Sequence, residues 1–355
     1  SKALSDGNIV ELSYVITNKT ASNGASSFVR TEAIDTVTNI SVTTVANASG
    51  GAEGESSSSI KLNAPLDYAS QGRAVTAEDY KVYVRKLFPN TQAVSVWGGE
   101  DGSFDTSTGV SSTPEYGKVF ISVKSTTSLN LTTSQKENLV KDLNPYKVAS
   151  ITPVIVDPET TFIILGITFN YNSSATTQSK TDLETSVSNT IASFTDNNLE
   201  DFNLPFSHSL VTGVRDDVDS AITNNTTTVT MAKFFTPSLT TSTNYTVSFN
   251  NAFYNPHSGH NSSGGGVIAS TGFQIDGDTS TEYFFDEDGS GNLRTYSVVS
   301  GTRTYLNSTA GTIDYTNGIV TINALKITAV SNVDGETSTN IRVTAIPSSN
   351  DIVPV

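Results

Sequence analysis

The sequence contains no cysteine, and its 355 residues include only one methionine and one tryptophan. Without cysteine the chain has no disulfide, no thiol nucleophile and no thiolate ligand for a metal. Charged residues are also scarce, at 15% of the chain, and Ser, Thr and Asn fill most polar positions. This composition favours strands and turns over long solvent-exposed helices.

Positive charge is the scarcer sign, because 20 Lys and Arg stand against 35 Asp and Glu and give a formal net charge of −15. Such a balance repels phosphate backbones and anionic lipid, so we expect no nucleic-acid partner and no membrane partner. No apolar run approaches the roughly 20 residues that a membrane-spanning helix needs. The chain begins at Ser1 rather than Met, and we expect an upstream portion to be missing.

The order of sequence patterns predicts an α+β, multidomain fold with three regions. Residues 1–65 are expected to form an N-terminal β region, with strands over 8–18, 27–31 and 40–45 and one or two helical turns before Pro65. Residues 66–240 are expected to form a central helix-strand-strand α+β domain, and residues 241–355 a C-terminal all-β domain, built as a sandwich or barrel.

The central region opens with a well-marked helix. Thr76 and Asp79 have the spacing of a capping box, and Pro89 cannot continue the hydrogen bonding, so the helix is predicted over residues 77–88. Two strands follow, over 93–97 and 117–124. We expect a core in which one helix face meets these strands, made of Tyr80, Val84, Phe88, Val94, Val96, Val119 and Ile121.

The same order of elements occurs a second time. Ser134 and Glu137 form another apparent capping box, and strands are predicted over 151–156 and 160–171. A third helix is predicted to open near Thr177, with an apolar stripe of Leu183, Val187, Ile191 and Phe194. We expect the helices to cover one face of an antiparallel sheet. Two short helices broken near Arg215 and a strand over 226–235 complete the region.

Signals for chemistry are weak, and we predict no catalytic, cofactor-binding or metal-binding residues. His257 and His260 are three apart, yet no Glu follows the first as hydrolytic zinc motifs require, so a surface loop is favoured. Residues 286–292 resemble half of a calcium loop, but Ser297 stands where the bidentate Glu is expected, which favours a hairpin turn. The acidic run from Asp216 to Asp219 is interpreted as a solvated helix end.

Several blocks of sequence in one order nevertheless carry a family resemblance. They are the strand from Gly7 to Tyr14 and the segments GGAEGES (50–56), NAP (63–65), QGRAVTAEDY (71–80), VWGGED (96–101), YGKVFI (116–121), SITP (150–153), VDPET (156–160) and GTIDY (311–315). With these blocks the chain resembles the baseplate wedge protein of T4-like contractile-tailed bacteriophages, whose middle region belongs to the baseplate-J-like family. It departs from that family in lacking a substantial N-terminal portion.

The resemblance implies a structural subunit in the tail baseplate of the virion, assembled in the host cytoplasm. As partners it implies a second copy of the chain, in a homodimer within a wedge and in ring contacts between wedges, and other wedge, hub-proximal and sheath-proximal tail proteins. It implies no enzyme activity and no cofactor. The alternative is a tail-associated carbohydrate-binding or depolymerising protein, because Trp97 and the many Tyr residues could stack on sugars.

A self-association surface is predicted on the aromatic hairpin around Tyr283, Phe284 and Phe285. The alternation of a strand puts Tyr283 and Phe285 on one face and Phe284 on the other, so that one large ring stays uncovered unless a second layer packs on it. An internal second sheet is the competing explanation, and the resemblance to a ring-forming protein favours the interface. Asp286 to Asp288 would then lie at the rim and face basic residues of the partner.

Overall fold

The computed structural model describes residues 18–29, 56–105, 109–260 and 266–354, with positions 9, 16, 44, 47, 48, 51, 53 and 54. Its α-helices are α1 (Ser57–Ser70), α2 (Ala77–Leu87), α3 (Thr133–Leu143), α4 (Lys180–Asn198) and α5 (His208–Asp216). Its strands are β1 (Thr91–Gly98), β2 (Ser103–Asp105), β3 (Gly109–Ser111), β4 (Lys118–Ser125), β5 (Thr152–Val156), β6 (Phe162–Tyr171), β7 (Ile222–Phe235), β8 (Thr243–Ser248), β9 (Ile268–Ser270), β10 (Phe273–Ile275), β11 (Asp278–Glu287), β12 (Asn292–Val299), β13 (Thr302–Asp314), β14 (Ile319–Leu325), β15 (Ile327–Val330) and β16 (Ile341–Ala345). The predicted class, α+β and multidomain with a β-rich C-terminal part, is confirmed.

The chain divides into two compact units. The first comprises Ser1–Glu100 and Glu115–Pro158, and the second comprises Asp101–Pro114 and Glu159–Val355. The division after Pro158 falls inside the stretch 66–240 that was expected to form one domain. Across the described part of the chain, no helix has the length and apolarity needed to cross a membrane.

The N-terminal region is only partly described. The strands expected over residues 8–18 and 40–45 lie largely outside the described residues. Of the strand expected over 27–31, residues 27–29 are described and are not in a strand. Helix α1 is longer than the one or two turns expected before Pro65, because it runs through that proline to Ser70. Ser56 caps it by accepting a hydrogen bond from the Ser59 amide, and Gln71 ends it in the left-handed conformation at φ 50°.

Helix α2 begins where the capping box predicts. The Thr76 hydroxyl accepts a hydrogen bond from the Asp79 amide at 3.2 Å, and the Asp79 carboxylate accepts one from the Thr76 amide at 2.9 Å. Phe88 follows as the C-terminal cap, one residue before the proline. The first and last turns of the helix are therefore set by residues within and beside it.

The sheet of the first unit has the order β1-β4-β5. Strands β1 and β4 are antiparallel, as expected, but β4 and β5 are parallel, so the fully antiparallel sheet predicted here is wrong. The physical reason is that α3 connects β4 to β5, and a helix-containing crossover joins parallel neighbours. Helix α3 is capped by Thr132 and Gln135 rather than by the predicted pair Ser134 and Glu137.

The core of the first unit agrees with the prediction. Tyr80, Val84 and Phe88 are at most 9% exposed and pack with side chains from the sheet. The sheet residues of this core are Val94, Val119, Ile121 and Val123, with Val96 and Ile155 partly buried against them. Burial of one apolar helix face on the sheet is thus the main source of stability in this unit.

The second unit contains two large sheets. The first has the order β6-β7-β16-β9, in which all pairs are antiparallel. Helix α4 buries Leu183, Val187 and Phe194, as its predicted stripe requires. Residues 208–216 form the single helix α5, so the predicted break near Arg215 is instead the helix end.

The second sheet has the order β15-β10-β11-β12-β13-β14-β8, again antiparallel throughout. The region 241–355, which was predicted to be all-β, supplies every strand of this sheet and also β9 and β16. One hydrophobic core contains side chains of both sheets together with Phe194 of α4 and Val211 of α5. The expected boundary between residues 240 and 241 therefore runs through one core, in which β7 pairs with β16.

Candidate functional site

The three residues of the predicted self-association surface divide between two faces of β11. Tyr283 and Phe285 point inward and are 7% and 1% exposed. The Phe285 ring lies 4.5 Å from that of Phe273, within the core of the second unit. Phe284 points to the opposite face and is half-buried. The structure therefore brings Tyr283 and Phe285 together in the core and leaves Phe284 on the candidate surface.

Tyr283 is held at the inner face by a hydrogen bond near the start of β11. Its hydroxyl donates to the Asp278 carboxylate at 2.9 Å, which also accepts from the amides of Ser280 and Thr281 at 3.1 Å each. Hydrogen bonds from Thr281 and Ser280 hold the pKa of Asp278 well below its usual value of 3.8. Burial and the bond to Asp278 raise the pKa of Tyr283, so the phenol stays protonated and donates.

Phe284 belongs to a polar and aromatic cluster, which we call the outer cluster. It consists of Phe284, Asp286, Arg294, Tyr296, Arg303 and Tyr305. Strand register places these residues side by side, since Phe284 is opposite Tyr296, and Tyr296 is opposite Tyr305. The ring centroids are 5.6 Å apart in the first pair and 5.9 Å apart in the second. The cluster thus crosses the three strands β11, β12 and β13.

Asp286 is the centre of the outer cluster and is 1% exposed. Its carboxylate accepts hydrogen bonds from Arg294 Nε at 2.9 Å, Arg303 Nη1 at 2.7 Å and the Tyr305 hydroxyl at 3.0 Å. The expectation that Asp286 would lie at a rim and face a basic partner is wrong, because its cations come from the neighbouring strands. Burial and the bond to Asp286 raise the pKa of Tyr305, which keeps its hydroxyl a donor.

The two arginines also lie over aromatic rings. Arg294 is 4.3 Å from the ring centroid of Tyr305, and Arg303 is 4.6 Å from that of Tyr296. A guanidinium at this distance is attracted by the ring quadrupole. The Arg303 side chain is 40% exposed, whereas that of Arg294 is 9% exposed. The outer cluster is therefore internally paired and still presents Arg303 and Tyr305 to solvent.

The second acid of the hairpin, Glu287, points inward and is fully buried. Its carboxylate accepts from the Val267 amide at 3.2 Å and from the Tyr315 hydroxyl at 3.0 Å. Burial raises the pKa of Tyr315 strongly, with the Glu287 charge as the next cause. In the turn, Asp288 accepts from the amides of Ser290 and Asn292. These bonds confirm the predicted hairpin turn, because the oxygens of the supposed calcium loop serve protein donors.

Exposed apolar side chains lie next to the outer cluster at the end of the β12-β13 hairpin. Val298, Val299 and Leu306 are 53%, 56% and 55% exposed. Strand register places Val298 opposite Arg303 on the face of the outer cluster, whereas Val299 points to the other face of β12. The exposed patch on the face of the outer cluster therefore consists of Val298, Arg303 and Tyr305, and Tyr and Arg are favoured in the centres of protein interfaces.

Other residues singled out in the sequence are held in structural roles. His208 Nε2 is 3.4 Å from the Thr227 carbonyl oxygen, and Asp219 accepts from the Ala221 amide at 2.7 Å in a turn. Trp97 is half-buried and stacks on Phe120 at 5.6 Å. Its indole Nε1 is buried and has no hydrogen-bond partner in the described chain. Among all the residues that the structure describes, no three His, Cys, Asp or Glu side chains come together as a metal centre would require.

Sequence reasoning missed the arginines and Tyr305 of the outer cluster. One signal could have found part of it. Asp286 and Arg294 flank the predicted turn, and a hairpin closed by that turn places them opposite each other on one face. Arg303 and Tyr305 depend on the register of the next hairpin, which contains two irregularities between β12 and β13.

Two family descriptions match consecutive parts of the chain. Residues 76–156 match the family described as baseplate structural protein gp6, C-terminal domain I. Residues 159–234 match the one described as baseplate structural protein gp6, C-terminal domain III. The break between the matches coincides with the division of the two compact units after Pro158. Both parts thus resemble structural proteins of a baseplate.

A particular relative agrees with these matches. Over 235 residues the chain is 29% identical to the baseplate wedge protein gp6 of Enterobacteria phage T4. The similarity covers 63% of this chain and 33% of that protein, so the chain spans about a third of its relative's length. Together with the family matches, this supports a relationship to the baseplate wedge proteins, as the sequence blocks indicated.

Proposed function

We propose that the chain is a structural subunit of a contractile phage tail baseplate, located in the wedges of the virion. The consecutive matches to two domains of a baseplate structural protein carry this proposal, because the break between them falls where the compact units divide after Pro158. The similarity to a wedge protein along most of this chain adds to it. The role is mechanical: each compact unit presents surfaces for assembly.

The finer proposal is that the subunit pairs with a second copy of itself and joins other wedge, hub-proximal and sheath-proximal proteins. Support comes from the exposed Val298, which shares the face of the outer cluster with Arg303 and Tyr305, since a partner that covers this side chain removes its apolar surface from water. We further propose that the central part has the baseplate-J-like architecture that its sequence blocks resemble.

The subunit is also proposed to act without catalysis. Its relatives are described as structural proteins. Asp286 and Glu287, the most buried carboxylates of the second unit, bond to arginine, tyrosine and amide donors of the chain itself. A carboxylate held in this way is a poor general base, because its lone pairs are occupied.

Light scattering on the purified full chain tests the proposal. Alone, the chain is expected to reach at least twice its monomer mass of 37.5 kDa as the concentration rises. Mixed with the other wedge proteins of its baseplate, it is expected to form a larger discrete species. A mass that stays at the monomer value under both conditions contradicts the proposal.

A matched pair of variants locates the contact. Val298→Asp is expected to lower the mass of the self-associated species because it places a charge in the exposed patch. Leu239→Asp is the control, since Leu239 is 48% exposed in the same unit but lies outside the patch. Equal masses for both variants would show that the patch is not the contact. Saturable binding or cleavage of a host polysaccharide would instead favour the carbohydrate-binding alternative. Trp97 offers this alternative little support, because its ring is half-buried and already stacks on Phe120.

A further inference from the structure

Two of the three histidines of the chain face each other in the loop between β8 and β9. His257 Nε2 and His260 Nδ1 are 3.4 Å apart, and the two rings are nearly perpendicular at 81°. Histidine nitrogens are common ligands of first-row transition metals. The distance and the protonation of these two nitrogens decide whether the pair is a hydrogen bond or a metal-binding pair.

The protonation of His257 is set by a neighbouring carbonyl. His257 Nδ1 is 3.2 Å from the backbone oxygen of Ser258. A carbonyl only accepts hydrogen bonds, so Nδ1 carries the proton and Nε2 is left with a free lone pair. Metal-bound histidines usually donate their second ring N–H to a carbonyl or carboxylate in this way. The nitrogen that faces His260 is therefore the one prepared to bind a metal.

The distance between the two nitrogens is compatible with a shared metal. At 3.4 Å the contact is at the long end of hydrogen-bond lengths. Two nitrogens bonded to a tetrahedral metal at about 2.0–2.1 Å lie about 3.4 Å from each other. The observed separation is thus the one that both ligands would keep around a zinc-like ion.

The surrounding chain holds the rings in place. The His260 ring packs against the edge of Tyr254, with centroids 5.3 Å apart. The Gly259 amide donates to Gly289 in the β11-β12 turn at 2.8 Å, and the His260 amide donates to the His257 carbonyl at 3.1 Å. Gly259 adopts φ +74°, which a side chain would disfavour. Because these hydrogen bonds and ring contacts already restrain the loop, it loses little conformational entropy on binding an ion.

We propose that His257 Nε2 and His260 Nδ1 bind one divalent transition-metal ion of borderline softness, such as Zn²⁺, Ni²⁺ or Cu²⁺. Water fills the remaining coordination positions, because no third His, Cys, Asp or Glu joins the pair within the described residues. The sequence-based expectation of no metal here rested on the missing Glu of hydrolytic motifs. That Glu acts as a catalytic base rather than as a ligand, so its absence bears on hydrolysis and not on binding.

The test is a titration of the full chain with ZnCl₂ near pH 7.5, followed by NMR of the histidine rings. Only three histidines are present. The signals of His257 and His260 are expected to shift saturably with one ion per chain, while that of His208 stays unchanged. Mg²⁺ is expected to produce no shift, because it prefers oxygen ligands. Shifts of all three rings, or none, would overturn the proposal.

Three variants complete the test. His257→Gln and His260→Gln are each expected to weaken zinc binding by about tenfold or more, because one nitrogen cannot chelate. His208→Gln is the control and is expected to bind as the original chain does. Unchanged affinity in both loop variants would refute the site, and circular dichroism shows whether each variant is folded.

Discussion

Asp286 and Arg294 form a bidentate ion pair across β11 and β12, with Arg294 Nε 2.9 Å from one carboxylate oxygen and Nη2 3.2 Å from the other. Both side chains are at least nine-tenths buried. Parallel hydrogen bonds of this type fix the orientation of both groups. The pair therefore sets the position of the rings and of Arg303 in the outer cluster.

Removal of the carboxylate is expected to be costly. Asp286→Ala leaves Arg294 buried without its counter-charge, and we expect a loss of about 3–5 kcal/mol in the free energy of unfolding. Urea denaturation followed by circular dichroism measures it. Asp276→Ala is the matched control, because the Asp276–Lys326 pair is surface-exposed and should contribute about 0–1 kcal/mol. Similar losses in both variants would show that the buried pair contributes no more to the free energy of unfolding than the exposed pair does.

The core of the first unit gives a second prediction. Phe88 is 9% exposed among α2 and sheet side chains, and Phe88→Ala should cost about 3–5 kcal/mol through lost burial and a cavity. The only tryptophan, Trp97, lies on β1 in the same unit, so its fluorescence reports on the unfolding of that unit. Val75→Ala is the control, since Val75 is 60% exposed. An unchanged midpoint for Phe88→Ala would contradict this account of the core.

Local patterns in the sequence were sufficient for the elements that short-range bonds define. The α2 capping box, the stripe of α4 and the turn at residues 288–291 depend on residues a few positions apart, and each was predicted. Helix α3 shows the limit of such signals. Thr132 with Gln135 and Ser134 with Glu137 both fit the capping-box spacing, and the structure uses the first pair.

Contacts between distant residues could not be predicted in the same way. The β7-β16 pairing joins residues more than 100 positions apart, and it merges the expected central and C-terminal regions into one core. The inward direction of Phe285 was predictable from alternation, but the sheet that covers it was not. The distance between the ring nitrogens of His257 and His260 likewise depends on side-chain rotations, which their spacing in the sequence does not determine.

Acid sensitivity of the second unit is predicted from Asp278. Its pKa in the folded chain is held well below the ordinary 3.8 by hydrogen bonds from Thr281 and Ser280. A carboxylate with a lowered folded pKa stabilises the protein above pH 3.8, and that contribution is lost as the pH falls through the folded pKa. Asp278→Ala should therefore be less stable than the original chain at pH 6, and the difference should shrink below pH 3.8. Urea midpoints across this range would contradict the prediction if the difference stayed constant.

Arg215 is expected to be replaceable by an apolar residue. Its side chain is fully buried, and burial lowers its pKa although the Asp216 charge opposes this. Nη1 donates to the Thr227 hydroxyl and Nη2 is 4.0 Å from the Asp216 carboxylate, but Nε and Nη2 have no hydrogen-bond partner within the described chain. Loss of hydration without full compensation makes a buried charge unfavourable, so Arg215→Met should leave the free energy of unfolding unchanged or raise it. Arg215→Ala should be about 2–5 kcal/mol less stable than the Met variant, because it leaves a cavity. A large loss in Arg215→Met would show that the guanidinium has partners that stabilise it.

The two neighbouring phenylalanines of β11 should respond differently to the same substitution. Phe285 is 1% exposed in the core, so Phe285→Ser should unfold the second unit or destabilise it by about 3–5 kcal/mol. Phe284 is half-buried beside Tyr296 on the opposite face, so Phe284→Ser should keep the circular dichroism spectrum of a folded chain. If the outer cluster and its apolar neighbours form the self-association surface, Phe284→Ser should also lower the mass measured by light scattering, whereas Leu239→Ser should not. A folded Phe284→Ser chain with unchanged mass would remove Phe284 from the contact. A Phe285→Ser chain as stable as the original would contradict the placement of Phe285 in the core.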